Sequence, residues 1–291
     1  MRFGNGAPPP PRSPRSSAAV APQRAAGAPP SPIALRSPAR LAFFDRVFTR
    51  FARRHLNAVR LARWGRPRLP PEGGPVVVFA NHPSWWDGMA VMLLWKRLLA
   101  ERELYVPMDA EALGRYGFMR RIGVFGVEPG ARGAAGFLRV AAEVLAEPHR
   151  LLWINAPGRF SDVRERPVPI APGMNRLPEL APGATFLPLA LEYTFWNERA
   201  PEMLAAFGEP IPAADLLAEA REARYGRMST ALAATLDRLA ADSIARDPAL
   251  FETLLEGRQG MGGVWQAWRR AVALLRGESF DPRHDQQRAG A

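Results

Sequence analysis

Residues 75–87 read PVVVFANHPSWWD and hold the clearest structural signal in the chain. Pro75 to Ala80 is an uninterrupted apolar run rich in β-branched residues, which is typical of a strand buried on both faces. Trp85 to Leu99 then has the length and the periodicity of a helix. A buried strand followed at once by a helix indicates an α/β fold, with a mostly parallel central sheet flanked by helices.

The same alternation of strand and helix continues towards the C-terminus. A helix is predicted from about Ala131 to Glu147, between two of three further short strands. Those strands are Leu104 to Pro107, Leu151 to Asn155 and Thr185 to Leu191. The chain has 291 residues, of which 47% are hydrophobic, so it is long enough for one large domain or two small ones.

The chain divides by composition into four parts. The first is rich in Pro, Ala, Ser, Gly and Arg and has no acidic residue, so we expect it to be a disordered basic tail. The last is rich in Ala and Leu, which predicts helices over Gly226 to Arg246 and Val264 to Leu275. The four parts are the tail at 1–40, a basic amphipathic helix at 41–64, the α/β domain at 65–214 and a helical C-terminal extension at 215–291.

Two interpretations of the segment from Leu41 to Trp64 stay open. As a helix, it places large apolar residues on one side and arginines on the other. Such a helix can pack its apolar side against a core, or it can lie in a membrane interface with its arginines near anionic headgroups. The apolar side carries Leu41, Phe44, Phe48, Phe51, Ala52, Val59 and Ala62, and the basic side carries Arg46, Arg50, Arg53, Arg54 and Arg60.

Composition also excludes several classes of site. The chain has no cysteine, so a Cys nucleophile, a disulfide framework and a thiolate zinc site are all ruled out. The formal charge of +11 favours anionic partners such as phospholipid headgroups, nucleic acid or acidic acyl carriers. No apolar run is long enough to span a membrane and the N-terminus lacks a secretory signal, so we expect a cytoplasmic protein, peripheral to the inner face of the cell membrane.

The candidate chemical site is the segment from Asn81 to Asp87. Pro83 biases His82 towards an extended conformation, which places the histidine at the carboxyl end of the strand, where open α/β sheets bind ligands. A turn at Pro83 and Ser84 would bring Asp87 back to the imidazole, so that Asp87 fixes the tautomer and His82 acts as a general base. Structural interpretations stay open: Ser84 and Asp87 can form a capping box, and a histidine at a strand end can be a hydrogen-bonded structural residue.

Asn81-His82-x-x-x-x-Asp87 resembles the first block of the glycerolipid and lysophospholipid acyltransferases, an H-x-x-x-x-D motif between the same strand and helix. Further stretches resemble the later blocks in family order. They are Gly123 to Glu128 for the second, Trp153 to Arg159 for the third and Phe186 to Ala190 for the fourth. The resemblance covers roughly 75–211. It implies an α/β acyltransferase fold, an acyl-CoA or acyl-carrier-protein donor, no metal or other cofactor, and direct transfer without an acyl-enzyme.

The chain departs from the family in the second and third blocks. The second block usually ends in Arg, where this chain has Pro129, and the third usually reads Phe-Pro-Glu-Gly-Thr-Arg, where this chain has Asn155 to Phe160 without the Glu. In the family both features are associated with gripping the glycerol phosphate of the acceptor. Gly158 is retained, and Arg159 and Arg132 are candidates for an anion contact.

The sequence therefore predicts an acyltransferase of lipid metabolism that moves a fatty acyl group to a hydroxyl of a lysolipid or lipid-like acceptor at an anionic membrane. The catalytic pair is His82 and Asp87. The residues predicted to support the site or line the acyl chain are Asn81, Ser84, Trp85 and Trp86. The alternatives are a catalytically decayed acyltransferase fold that binds membranes or other partners, a hydrolase, and a nucleic-acid binder, for which no recognised module accompanies the charge.

Overall fold

A computed structural model describes residues 31–70 and 73–258, together with Val272 and Leu275. The described strands form one mixed sheet. Its central members are apolar because helices cover both faces. The strands are β1 (Ala58–Ala62), β2 (Val76–Ala80), β3 (Glu103–Asp109), β4 (Val124–Val127), β5 (Arg150–Asn155), β6 (Thr185–Thr194), β7 (Glu202–Phe207), β8 (Ile211–Pro212) and β9 (Phe251–Glu256).

The strand order is β4-β3-β5-β2-β6-β7-β1-β9, and β8 pairs with β6. Strands β2 to β6 run parallel to one another, which confirms the predicted mostly parallel sheet. β7 is antiparallel to β6, β1 is parallel to β7, and β9 is antiparallel to β1. This second half of the sheet was not predicted. The parallel half places the carboxyl ends of β5, β2 and β6 side by side at one edge of the sheet.

Helices cover both faces of the sheet. Along β2, Val76, Val78 and Ala80 face a core that includes residues of α2 and α3, whereas Val77 and Phe79 face a core that includes residues of α5 and α8. No helix among the described residues combines the length and the apolar character needed to cross a bilayer. The helices are α1 (Pro32–Leu35), α2 (Pro38–His55), α3 (Asp87–Leu98), α4 (Ala110–Arg115), α5 (Gly130–Leu145), α6 (Leu177–Leu180), α7 (Ala213–Leu217) and α8 (Arg221–Ala245), with 3-10 turns at Gly117–Ile122, Met174–Arg176 and Pro248–Leu250.

The amphipathic helix predicted over 41–64 is too long. α2 ends at His55, and β1 follows within the same predicted segment. Both faces of β1 are covered, so nearly all of its residues are buried and apolar. Val59 and Ala62 therefore fitted the apolar side of the predicted helix although they belong to a strand. The apolar side of α2 packs against the core through Phe44, Phe48 and Phe51, as in the core-packing interpretation. That side is not free to lie in a membrane.

The boundaries predicted for the two terminal parts also need correction. Residues 31–40 belong to the fold, because Ser31 is buried and its Oγ donates to Glu143 Oε1 at 2.7 Å. The rest of the predicted tail, residues 1–30, lies outside the described residues. The C-terminal part is not wholly helical, because β9 follows α8 and pairs with β1. The helix predicted over 264–275 lies outside the described residues apart from Val272 and Leu275, which are helical.

Candidate active site

His82 lies directly beyond the carboxyl end of β2, where its backbone is fixed from two sides. On one side the Asn81 amide clamps β6: Nδ2 donates to the Leu191 carbonyl and Oδ1 accepts from the Leu191 N–H, both at 2.8 Å. On the other side the Ser161 N–H donates to the His82 carbonyl at 2.9 Å. Asn81 is buried, and these hydrogen bonds give it a role in supporting the site, which is one of the two roles predicted for it.

Asp87 is the first residue of α3 and is fully buried. Its Oδ2 lies 2.5 Å from His82 Nδ1 and 3.2 Å from the Ser84 N–H. Its Oδ1 accepts from the Tyr193 hydroxyl at 2.8 Å. Three donors and the amino end of a helix stabilise a buried negative charge here. The turn predicted at Pro83 and Ser84 therefore does bring the imidazole and the carboxylate together.

The capping box that we set against the dyad is half formed, and it coexists with the dyad. Asp87 accepts from the Ser84 N–H, as the box requires, but the Ser84 hydroxyl accepts from the Trp86 N–H at 3.3 Å. The same Asp87 oxygen contacts both Ser84 and His82. One carboxylate thus closes the turn and orients the histidine.

The hydrogen bond to Asp87 determines which ring nitrogen of the neutral imidazole can react. A carboxylate only accepts hydrogen bonds, so in the neutral ring Nδ1 of His82 carries the shared proton and Nε2 keeps a lone pair. The side chain of His82 is 21% exposed, whereas that of Asp87 is wholly shielded from solvent. A buried carboxylate behind a partly exposed imidazole is an arrangement that can remove a proton from a hydroxyl group.

Tyr193 is a site residue that sequence reasoning missed. It lies near the carboxyl end of β6, and burial, followed by the charge of Asp87, raises its pKa well above the usual value. The phenol therefore stays protonated and donates to Asp87. The available signal was the alternation along β6, because Leu189 and Leu191 contribute to the same core as α3 and Tyr193 is the next residue in that series.

Asn155, the last residue of β5, and Phe160, in the loop that follows, also approach His82. The side-chain amide of Asn155 lies beside the imidazole, with Nδ2 3.3 Å from His82 Nδ1. The ring of Phe160 lies 4.3 Å from the imidazole, measured between centroids. Asn155 was assigned to the divergent third block, but its position beside the imidazole required the register of β2 with β5.

The remaining predicted site residues lie around this centre. Trp85 is exposed, whereas Trp86 is half-buried and its ring lies 5.6 Å from that of Phe51 on α2. Gly158 has φ of +65°, a left-handed turn that a side chain would strain, in the loop that leads from Asn155 to Phe160.

Arg159 and Arg132, the two residues predicted to bind an anion, form no hydrogen bond with His82 within the part of the chain that the structure describes. Arg159 is exposed, and its Nη2 lies 2.5 Å from Glu165 Oε1. Arg132 is exposed in the first turn of α5, beyond the end of β4. The anion contact predicted for Arg132 stays a prediction.

The family model described as Acyltransferase matches residues 47–192, half of the 291-residue chain. The chain belongs to the acyltransferase family. Membership confirms the resemblance to the glycerolipid acyltransferases and the α/β fold, and it assigns acyl transfer as the general activity. The matched range includes His82, Asp87 and Asn155, and it ends one residue before Tyr193. A search of curated proteins finds no match to the sequence.

Proposed function

We propose that this acyltransferase moves a fatty acyl group from acyl-CoA or acyl carrier protein to a hydroxyl of a lysolipid or lipid-like acceptor. The observation that carries the proposal is the 2.5 Å contact of His82 Nδ1 with the buried carboxylate of Asp87. This contact leaves Nε2 as a base at the partly exposed edge of the site. The retained pair also speaks against the alternative of a decayed, non-catalytic fold.

In the proposed reaction, Nε2 of His82 takes the proton of the acceptor hydroxyl as that oxygen attacks the thioester carbonyl carbon. Asp87 stabilises the imidazolium that forms. The tetrahedral intermediate then collapses, the carbon–sulfur bond breaks, and the leaving thiolate takes the proton from Nε2. The products are an ester and a free thiol. No protein atom is acylated, and the chain has no cysteine to serve as a thiol nucleophile.

We further propose that the acceptor is not lysophosphatidic acid. A phosphate monoester carries close to two negative charges, and burying it without arginine partners is costly. The second block has Pro129 in place of its usual Arg, the third block lacks its usual Glu, and Arg159 is already paired with Glu165. An acceptor with a neutral or differently placed headgroup avoids that cost. Candidates are a lysolipid of another class, an amino-acid lipid and a glycosylated isoprenoid.

The acceptor is proposed to be met at an anionic membrane, on the cytoplasmic face. The formal charge of +11 supports this location. The outward side of α2 supports it too, because the arginines there form no ion pair with any residue in the described part of the chain. Each arginine near an anionic surface contributes about 1 kcal/mol, less at high salt. These arginines are Arg46, Arg50, Arg53 and Arg54.

The test is acyl transfer by the purified full chain from labelled long-chain acyl-CoA, and in parallel from acyl carrier protein, to a panel of acceptors. The panel contains lysophosphatidic acid, a zwitterionic lysolipid, an amino-acid lysolipid and a glycosylated isoprenoid. We expect product from at least one of the last three and none from His82→Ala. His149→Ala is the matched control, because His149 is exposed before the amino end of β5.

Two outcomes would contradict the proposal. A folded His82→Ala enzyme that transfers at the wild-type rate would exclude the imidazole as the base. His82-dependent acylation of lysophosphatidic acid above every other acceptor would leave the chemistry standing and refute the proposed acceptor class.

A further inference from the structure

Three exposed aromatic side chains lie at the carboxyl edge of the sheet. β5, β2 and β6 are adjacent and parallel, so their carboxyl ends lie together. The loop after each strand presents one large ring to solvent: Phe160 after β5, Trp85 after β2 and Phe195 after β6, at 59%, 66% and 62% exposure. Single exposed aromatic residues are ordinary, but rings in three neighbouring loops form a group that needs explanation. We name these three residues the aromatic rim.

One ring of the aromatic rim contacts the catalytic pair, and the other two follow residues of the site closely along the chain. The ring of Phe160 lies 4.3 Å from the imidazole of His82. Trp85 is three residues beyond His82 on the same loop, and Phe195 is two residues beyond Tyr193, which donates to Asp87. Exposed apolar surface, that of Phe160, therefore lies next to the group that is proposed to take a proton from a lipid hydroxyl.

Positive charge flanks the aromatic rim. The last turn of α2 contains the exposed residues Arg53, Arg54 and His55. This turn reaches the rim, because the ring of His55 lies 6.1 Å from that of Trp86, which in turn lies 6.1 Å from the ring of Trp85. Exposed aromatic rings beside arginines are the combination that lies in the headgroup region of an anionic bilayer.

We propose that the aromatic rim is the surface that docks on an anionic lipid bilayer, with its rings in the interfacial layer and His82 facing the lipid. The acceptor then reaches Nε2 from the bilayer without crossing water. The proposal rests on the proposed function for the role of His82, but docking itself requires no chemistry. The proposed membrane contact is therefore the edge of the sheet. The apolar side of α2 that carries Phe44, Phe48 and Phe51 is not part of that contact, because it packs in the core.

An acidic acyl carrier protein is a different partner that the arginines alone would also attract. The observation that favours a bilayer is the exposure of the three rings, because charge attraction to a carrier protein does not require large apolar side chains in water. Phe43 and Val47 offer a competing bilayer contact, since both are exposed among the arginines of α2. The experiment must therefore distinguish the rim from α2.

The test is co-sedimentation of the full chain with vesicles of phosphatidylcholine alone, or of phosphatidylcholine and phosphatidylglycerol in equal parts. We expect binding to the mixed vesicles. Trp85→Ala and Phe195→Ala are each expected to weaken it about three- to tenfold, and the double variant more. The matched control is Leu180→Ala, because Leu180 is an exposed apolar residue just before the amino end of β6. Phe43→Ala tests the competing contact.

Insertion is measured separately by quenching of tryptophan fluorescence with brominated lipid. Trp85→Phe keeps an apolar ring, so it should bind vesicles but lose much of the quenching. His82→Ala should bind as the wild type does, which separates docking from catalysis. A rim double variant that binds normally would overturn the proposal. So would a loss of binding confined to Phe43→Ala, or an interaction with acyl carrier protein and none with vesicles. Transfer by a wild-type enzyme that fails to bind vesicles would refute the docking and leave the proposed function intact.

Discussion

Replacing Asp87 by Asn tests the site at the residue on which most of its contacts converge. The carboxylate accepts from three groups, His82 Nδ1, the Ser84 N–H and the Tyr193 hydroxyl. An amide can keep two acceptor contacts on its oxygen and turn its NH2 to Tyr193, whose hydroxyl can accept. In that orientation the geometry survives and only the charge is lost. In the opposite orientation the NH2 faces Nδ1, which forces the proton onto Nε2 and removes the base.

The size of the effect follows from the lost charge. Two unit charges about 4 Å apart interact by about 4 kcal/mol at an effective dielectric constant of about 20, which is the support that the imidazolium loses. Since each 1.36 kcal/mol corresponds to about tenfold in rate, transfer should fall about 10³-fold, within the usual range for general-base catalysis. Stability should change little, because losing charge-assisted hydrogen bonds is offset by no longer burying an ion.

The assay compares initial rates of acyl transfer, with circular dichroism and thermal melting to verify the fold. Ser84→Ala is the matched control, because it removes the hydroxyl that accepts from Trp86 and leaves the backbone N–H that donates to Asp87. Its rate should fall by less than tenfold, on the order of one neutral hydrogen bond. A folded Asp87→Asn enzyme with a wild-type rate, or a Ser84→Ala enzyme as impaired as Asp87→Asn, would refute the reasoning.

Two further predictions concern neighbours on β6. Tyr193→Phe leaves Oδ1 of Asp87 without its buried donor, so transfer should fall about tenfold while binding of the acyl donor stays unchanged; an unchanged turnover rate would exclude a positioning role. Burial raises the pKa of Glu192, although the hydrogen bond from Ser243 opposes the shift. The ionised form of Glu192 therefore destabilises the fold. Stability is expected to fall as the pH rises past about 4.3, the pKa of a glutamate in the unfolded chain. Glu192→Gln should therefore unfold at a higher urea concentration than the wild type at pH 8, and the difference should shrink towards pH 4. A larger difference at pH 4 than at pH 8 would contradict this sign.

Sequence reasoning succeeded where the signal was local. The apolar run of β2 and the spacing of His82 and Asp87 lie within 75–87, and both the strand and the contact are present. It failed where partners are distant. β1 was taken for the end of a helix because Arg60 interrupts its apolar residues. In the structure Glu202, which is 142 positions away along the chain, neutralises the charge of Arg60. A charged residue inside a strand becomes acceptable only once its partner is known.

By itself the sequence determined the alternation of strands and helices that favours a parallel sheet, the histidine at a strand end and the turn that returns a carboxylate to it, because each of these signals lies in residues close along the chain. Only the tertiary structure decided what surrounds that pair. The register of β2 with β5 and β6 brings Asn155, Phe160 and Tyr193 to His82 and Asp87 across gaps of more than 70 residues. The tertiary structure also decided that the apolar side of α2 belongs to the core, because a sequence does not show which element packs against such a side.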